Sequence, residues 1–328
     1  MNNISGFDSS RLKAAALAPL QTKSGYKRRT NVRITTAAVL IAFLISLPIL
    51  APIVHPIAPP LTPSHVHLHI ANLPMFSPRH LLGTDSLGRD VLTMALYGAR
   101  TSLALGVLAA GIAVTFGSLW GAVSSLLGGI VDQVMMRIVD GLLAIPTLIL
   151  LLALSALVNG PSFQDALPRS VLAAFNVTSY SLGLLPFATV VTVIAATSWL
   201  EAARIAHAKI SEIKQEEYIE AARALGGGLI HTLRRHLLPN ASRIILIQGT
   251  LLVSEAIVME AGLSFLGLGL SPDTPSWGTM LREASTDLFM GNWWAPFVPA
   301  ALISLTVLSV NLLGEGLLQL FGYDDKLQ

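Results

Sequence analysis

The sequence predicts an all-α integral membrane protein with six transmembrane helices and both termini cytoplasmic. Three observations lead there. Of 328 residues, 53% are hydrophobic and only 12% charged, about half the charge a water-soluble domain of this size carries. The mean hydropathy is +0.65, and uncharged runs long enough to cross a bilayer recur along the chain. The 21 Lys and Arg residues are distributed unevenly between alternate connections. Cysteine is absent, which excludes disulfides, thiolate metal sites and Cys nucleophiles together. A pI near 9.0 with a net charge of +2 bears on membrane topology, and no nucleic-acid partner is expected.

The first span is Ile34 to Val54, an uncharged run of about 31 Å at 1.5 Å per residue. It follows a basic N-terminal tail, 1–33. Pro52, His55 and Pro56 after the run replace the small-residue site of a cleaved leader, so the span is read as uncleaved. An external loop, 55–99, leads to a five-helix core, 100–318. Its first member, the second span from about Ser102 to Gly128, carries Gly106, Ala110, Ala113, Gly117, Gly121, Ser124 and Gly128 at steps of three and four. Those residues share one face, and Gly117 with Gly121 allows another backbone to come close.

The third span is expected from about Val134 to Val158 with Pro146 inside it, neighbours satisfying the freed carbonyl. A polar connection, 159–179, precedes a fourth span, Tyr180 to Leu200. The fifth runs from Ile244 to Leu268 and the sixth from about Pro296 to Leu318, with a short cytoplasmic tail, 319–328. With the N-terminus inside, 16 of the 21 basic residues are cytoplasmic, which fixes the orientation. Trp277, Trp293 and Trp294 are then expected at headgroup level, at the outer ends of the last two helices.

Segment 201–243 is the one long cytoplasmic connection and reads as helix, turn, helix. The first arm is Leu200 to Leu225, in which Glu216, Glu220 and Arg223 lie on neighbouring turns. Gly226, Gly227 and Gly228 permit the reversal, and Pro239 is expected to stop the second arm ahead of the fifth span.

Within that segment Tyr218-Ile-Glu-Ala-Ala-Arg-Ala-Leu-Gly226, followed by Leu238-Pro239, resembles the EAA signature of ABC-importer permeases. Further blocks extend the likeness from about 80 to 315: His80 to Asp90, Tyr97 to Arg100, Glu260 to Gly269, Thr274 to Gly278 and Asn311 to Gly314. Together they are similar to the second, "C"-type, subunit of the dipeptide, oligopeptide and nickel group. The resemblance implies a type I ABC-importer permease fold and import of di- or oligopeptides, with nickel or another small solute as the alternative. It also implies a heterodimer with a homologous permease, two cytoplasmic ATPase subunits and an external solute-binding protein, in the membrane of a prokaryote. The loop residues that would couple to the ATPase are Tyr218, Glu220, Ala221, Ala222, Arg223, Gly226, Leu238 and Pro239.

The residues agree with that role. Ala221, Ala222 and Ala224 allow close approach, Glu220 offers a charged contact and Gly226 a bend. No phosphate-binding G-x-x-x-x-G-K-[ST] occurs, so ATP and Mg are expected on partner subunits, with no catalytic residue and no cofactor on this chain. An ion-coupled secondary transporter would leave segment 201–243 unexplained and commonly has internal repeats, of which none is found. An intramembrane hydrolase needs a nucleophile and base at membrane depth, whereas His207, His231 and His236 all fall in the cytoplasmic segment.

Two features remain open. His65, His67 and His69 alternate and would share one face of an extended strand, either as a metal-capture patch or as incidental histidines of a Pro-rich loop; no acidic residue joins them before Asp85. The block Gly83 to Asp90 is read as a shaped external element, in which Thr84 or Asp85 caps a turn. The second feature is a pair of acids in the fifth span, Glu255 and Glu260, candidates for the translocation path and about 140° apart around the helix. Glu255 departs from the family pattern, which has small residues there. It either lines the path and meets a cationic substrate group or is held neutral at a helix interface.

Overall fold

The computed structural model describes residues 9–54, 68–160, 184–217, 219, 238–272 and 274–324. These form eight α-helices: α1 Ser9–Val54, α2 Val91–Leu127, α3 Gly129–Leu143, α4 Thr147–Asn159, α5 Leu184–Ile213, α6 Leu238–Phe265, α7 Trp277–Phe289 and α8 Trp294–Asp324. Five of them, α1, α2, α5, α6 and α8, are long and apolar enough to cross a membrane, and the pair α3 and α4 makes a sixth candidate.

The helix α2 is the centre of the fold, with α5 and α6 packed along it. The small-residue face accounts for this: Gly106, Ala110, Ala113, Gly117, Gly121 and Ser124 are all buried, whereas Gly128, expected on the same face, ends α2 as its C-cap with φ 65°. A Cβ on Gly117 would lie 2.4 Å from the Trp199 carbonyl oxygen, and one on Gly121 would lie 2.2 Å from that of Ala203. Two backbones meet there because neither glycine holds them apart. On the other flank α1 packs against α8, with Arg33 paired to Glu315 at 3.0 Å and Ile34 against Gly316.

Several elements differ from expectation. The third span is not one helix: α3 and α4 meet at 88° across Ala144 to Pro146. Pro146 has no N–H to continue the ladder and disfavours helical geometry at Ile145, and Pro146 itself is extended, with ψ 124°. Pro239 lies in the first turn of α6, where a missing N–H breaks no bond; the arm it is expected to end lies outside the described residues. The fourth helix continues to Ile213, and the Lys214 to Glu216 turn follows, so the arm expected from Leu200 to Leu225 is interrupted. α1 begins at Ser9 and takes the basic segment into one continuous helix with the first span.

The helix α7 has no counterpart among the expected elements. Its N-cap Ser276 hydroxyl accepts from the Thr279 N–H, and the Thr279 hydroxyl oxygen accepts in turn from the Ser276 N–H at 2.9 Å, a reciprocal capping box. Trp277 opens this helix fully buried within the protein. Its ring lies against Gly98, where a Cβ would be 3.1 Å away, and its indole N–H donates to the Ala95 carbonyl at 3.1 Å. Trp294 is also buried, whereas Trp293 is exposed.

Candidate functional site

The segment expected to couple to an ATPase leaves the bundle from the end of α5. Lys214, Gln215 and Glu216 close a turn onto Ile210, Glu212 and Ile213, and the Ile219 N–H donates to Glu216. Ile219 is fully buried against Ile210, Ile213 and Ala241, which ties the start of the segment to the first turns of α6. The Lys214 ammonium donates to the Ser125 carbonyl near the end of α2. Tyr218, Glu220, Ala221, Ala222, Arg223 and Gly226 lie outside the described residues. Leu238 and Pro239 form the first turn of α6.

Around this base, contacts join three helices. His207 Nε2 on α5 lies 2.7 Å from Asp132 Oδ1 on α3, and the Ser124 hydroxyl of α2 donates to the same oxygen. Ser125 and Ser211 hydroxyls are 2.9 Å apart. The sequence reading placed His207 in the cytoplasmic segment without a partner. Asp132 is 75 positions away, and only the close α2 and α5 seam brings the two together.

The two acids of the fifth span part company. Glu260 is completely buried, where its carboxylate accepts from Ser264 at 2.8 Å, Ser276 at 2.8 Å and Ser102 at 3.2 Å. These hydroxyls come from α6, the cap of α7 and α2, so Glu260 joins three elements. Glu255 is only half-buried and lies within electrostatic reach of Glu201 on α5. It shares a stripe of α6 with Gln248, Leu251, Val258 and Gly262, all at least partly exposed and within about 80° of one another.

The block expected to be external folds over the N-terminal ends of α2 and α8 and against α7. Asp90 is the N-cap of α2, accepting from Thr93 N–H at 2.7 Å, and pairs with His80 at 3.0 Å. Asp85 accepts from the Leu87 and Arg89 N–H groups and from Arg89 Nε at 2.7 Å. Arg89 also donates to Glu283 of α7. Burial works to lower the Arg89 pKa, but the paired Glu283 and Asp85 outweigh it and raise it above its ordinary value, so this guanidinium is a permanent charge. Gly83 has φ 74°, and a Cβ there would stand 2.4 Å from the Leu73 carbonyl oxygen. The Trp294 indole donates to the Thr84 carbonyl at 3.3 Å.

His65 and His67 lie outside the described residues, and His69 is exposed in a single 3-10 turn, Leu68–Ile70. Among the described residues no three His, Asp or Glu side chains are grouped to hold a metal ion.

Comparison with known proteins matches residues 113–322 to the family described as "Binding-protein-dependent transport system inner membrane component". The chain is 39% identical over 246 residues to the dipeptide transport system permease protein DppC of Bacillus subtilis, covering 75% of this chain and 69% of that protein. It is 35% identical over 241 residues to the oligopeptide transport system permease protein OppC of the same organism, covering 74% and 70%. To the dipeptide permease DppC of Haemophilus influenzae it is 32% identical, covering 74% and 73%. The matched region takes in α2 from Ala113 onward, α5 and both acids of α6, so the chain belongs to the family of binding-protein-dependent transport system inner membrane components.

Proposed function

We propose that this chain is the "C"-type transmembrane subunit of an ATP-driven importer of di- and oligopeptides in a prokaryotic cell membrane. The observation that carries the reading is the continuity of α5. It runs unbroken from the apolar bundle, through the seam at Gly117 and Gly121, to the turn at Lys214 where the EAA-like segment begins. A push on that segment is delivered to α5, and the backbone contact with α2 passes it on as a near rigid-body motion. Relatives whose names specify dipeptide or oligopeptide transport supply the substrate class.

Both termini are cytoplasmic in this reading, and the energy comes from two ATPase subunits that meet Glu220, Ala221, Ala222 and Gly226. A homologous permease completes the path and an external solute-binding protein delivers the cargo. Glu255 stands on the open stripe of α6 and is the path residue that receives a peptide amino terminus. Glu260 holds the external helix α7 in place behind it.

The test is ATP-dependent uptake of labelled di- and oligopeptides, and of Ni²⁺, into vesicles holding the full complex. Peptide uptake that falls in both Glu220→Ala and Gly226→Asp, with subunit assembly retained, supports the reading. Uptake driven by a proton gradient without any ATPase overturns it, and uptake of Ni²⁺ in place of peptides replaces the substrate class.

A further inference from the structure

The open stripe of α6 that carries Glu255 has an outer end. At about 100° per residue, Gly262 and Leu266 lie within about 20° of Glu255 around the helix, and Gly262, Leu266 and Gly267 are all exposed. Leu266 stands about 17 Å beyond Glu255 at 1.5 Å per residue. There the chain turns out of the helix: the Gly267 N–H donates to the Ser264 carbonyl at 3.1 Å, and Gly267 has φ 80°. Arg282, from the second turn of α7, lies on this glycine. A Cβ on Gly267 would be 3.1 Å from Arg282 Cζ, 3.1 Å from Nη2 and 3.2 Å from Nη1. Three near-equal distances put the flat of the guanidinium against the glycine, which leaves its N–H groups to donate in the plane of the group. Arg282 is exposed, and among the described residues no carboxylate pairs with it. The adjacent Glu283 is turned to Arg89.

We propose that Arg282 receives the carboxylate at the carboxyl terminus of the peptide, as Glu255 receives the ammonium at its amino terminus. The inference rests on the peptide-import reading above and adds a second charge contact to it. A guanidinium meets a carboxylate with two parallel hydrogen bonds, and one already held flat on a glycine loses less freedom on binding than a free side chain does. Arg282 and Glu255 match the two ends of a zwitterion in sign and stand at different depths on one stripe. The stripe therefore orients its cargo, with the ammonium inward at Glu255 and the carboxylate at the outer end. An extended chain covers about 3.3 to 3.6 Å per residue, so a peptide of about five residues reaches both groups at once and a dipeptide meets them in turn.

The test uses the full complex in liposomes and labelled peptide pairs, free acid and carboxyl-terminal amide, chosen so that the parent imports both members. Arg282→Gln should lower ATP-dependent uptake of the free acid by about tenfold, the loss expected for a charged hydrogen-bonded contact, and uptake of the amide far less. Arg282→Lys keeps the charge without the planar fork and should restore part of the loss. The binding protein is the same in every arm, so its own preference between acid and amide cancels when variant is compared with parent. Blue-native electrophoresis checks that assembly is unchanged. An equal loss for acid and amide overturns the proposal, because that is the result of an ion pair within the protein, for which Asp273, outside the described residues, is the nearby acid in the sequence. No loss for either member overturns it too. Import by the parent is scored first: its absence would overturn the functional reading and this inference with it, whereas a parent that imports both members and a variant that does not tell them apart would overturn this inference alone.

Discussion

Glu260 is a fully buried acid with three serine hydroxyls converging on it from separate elements. Its work is mechanical. Removing it in Glu260→Ala would leave Ser102, Ser264 and Ser276 without their acceptor in a closed site and open a cavity beside the α7 cap. An unmet buried hydrogen-bonding group costs about 1 to 3 kcal/mol, so the variant should melt well below the parent and accumulate poorly. Glu260→Gln keeps an acceptor oxygen and should lose less, as a thermal melt of the purified complex would register. Gly83 is the second residue of this kind. Gly83→Ala combines φ 74° with a Cβ overlapping the Leu73 carbonyl, and strain of about 1 to 3 kcal/mol should loosen the cap over α2 and α8. Limited proteolysis of the purified complex would report it as faster cleavage between 71 and 90; an unchanged rate would mean that the loop has room to adjust.

Among the elements, α2 and α5 show how much could be read in advance. The small-residue face of α2 was legible because glycine at steps of four has one common cause in apolar helices, close backbone approach, and that is what Gly117 and Gly121 permit. Gly121→Leu should therefore force α5 away from α2, and blue-native electrophoresis should find little assembled complex; normal assembly would show that the seam is not required. The break at Pro146 was missed because proline inside a membrane helix is often accommodated, and the sequence does not say whether neighbours will do so. The helix α7 was missed because its 13 residues carry no long apolar run, and Trp277 reads equally as an interfacial ring or a buried one. No local signal could have paired His207 with Asp132, since their contact depends on α2, α3 and α5 at once. Asp132→Ala should free α3 from α5 at a cost of about 1 kcal/mol for a partly exposed side-chain hydrogen bond. The readout is the ratio of peptide moved to ATP hydrolysed, which should fall while assembly is unchanged.

For the molecule as a whole, the open stripe of α6 decides what the single chain lacks. Gln248, Leu251, Glu255, Val258 and Gly262 face away from α2, and nothing within 4 Å would meet a Cβ on Gly262. A carboxylate left to lipid at such depth would cost about 2.5 to 3.5 kcal/mol, so in the proposed assembly Glu255 lies where a second permease chain and an aqueous path complete its surroundings. Its proximity to Glu201 makes that stretch acidic, which suits a peptide ammonium group and opposes a carboxylate. If the attraction is spent on the amino terminus, Glu255→Gln should lower ATP-dependent uptake of free peptides by about tenfold, equivalent to about 1.4 kcal/mol, with assembly and ATPase stimulation retained. The same peptides acetylated at the amino terminus carry no charge for Glu255 to meet, so parent and variant should import them at equal rates. An equal loss for free and acetylated peptides would show that Glu255 shapes the path without reading the substrate's charge, and no loss for either would remove it from the path altogether.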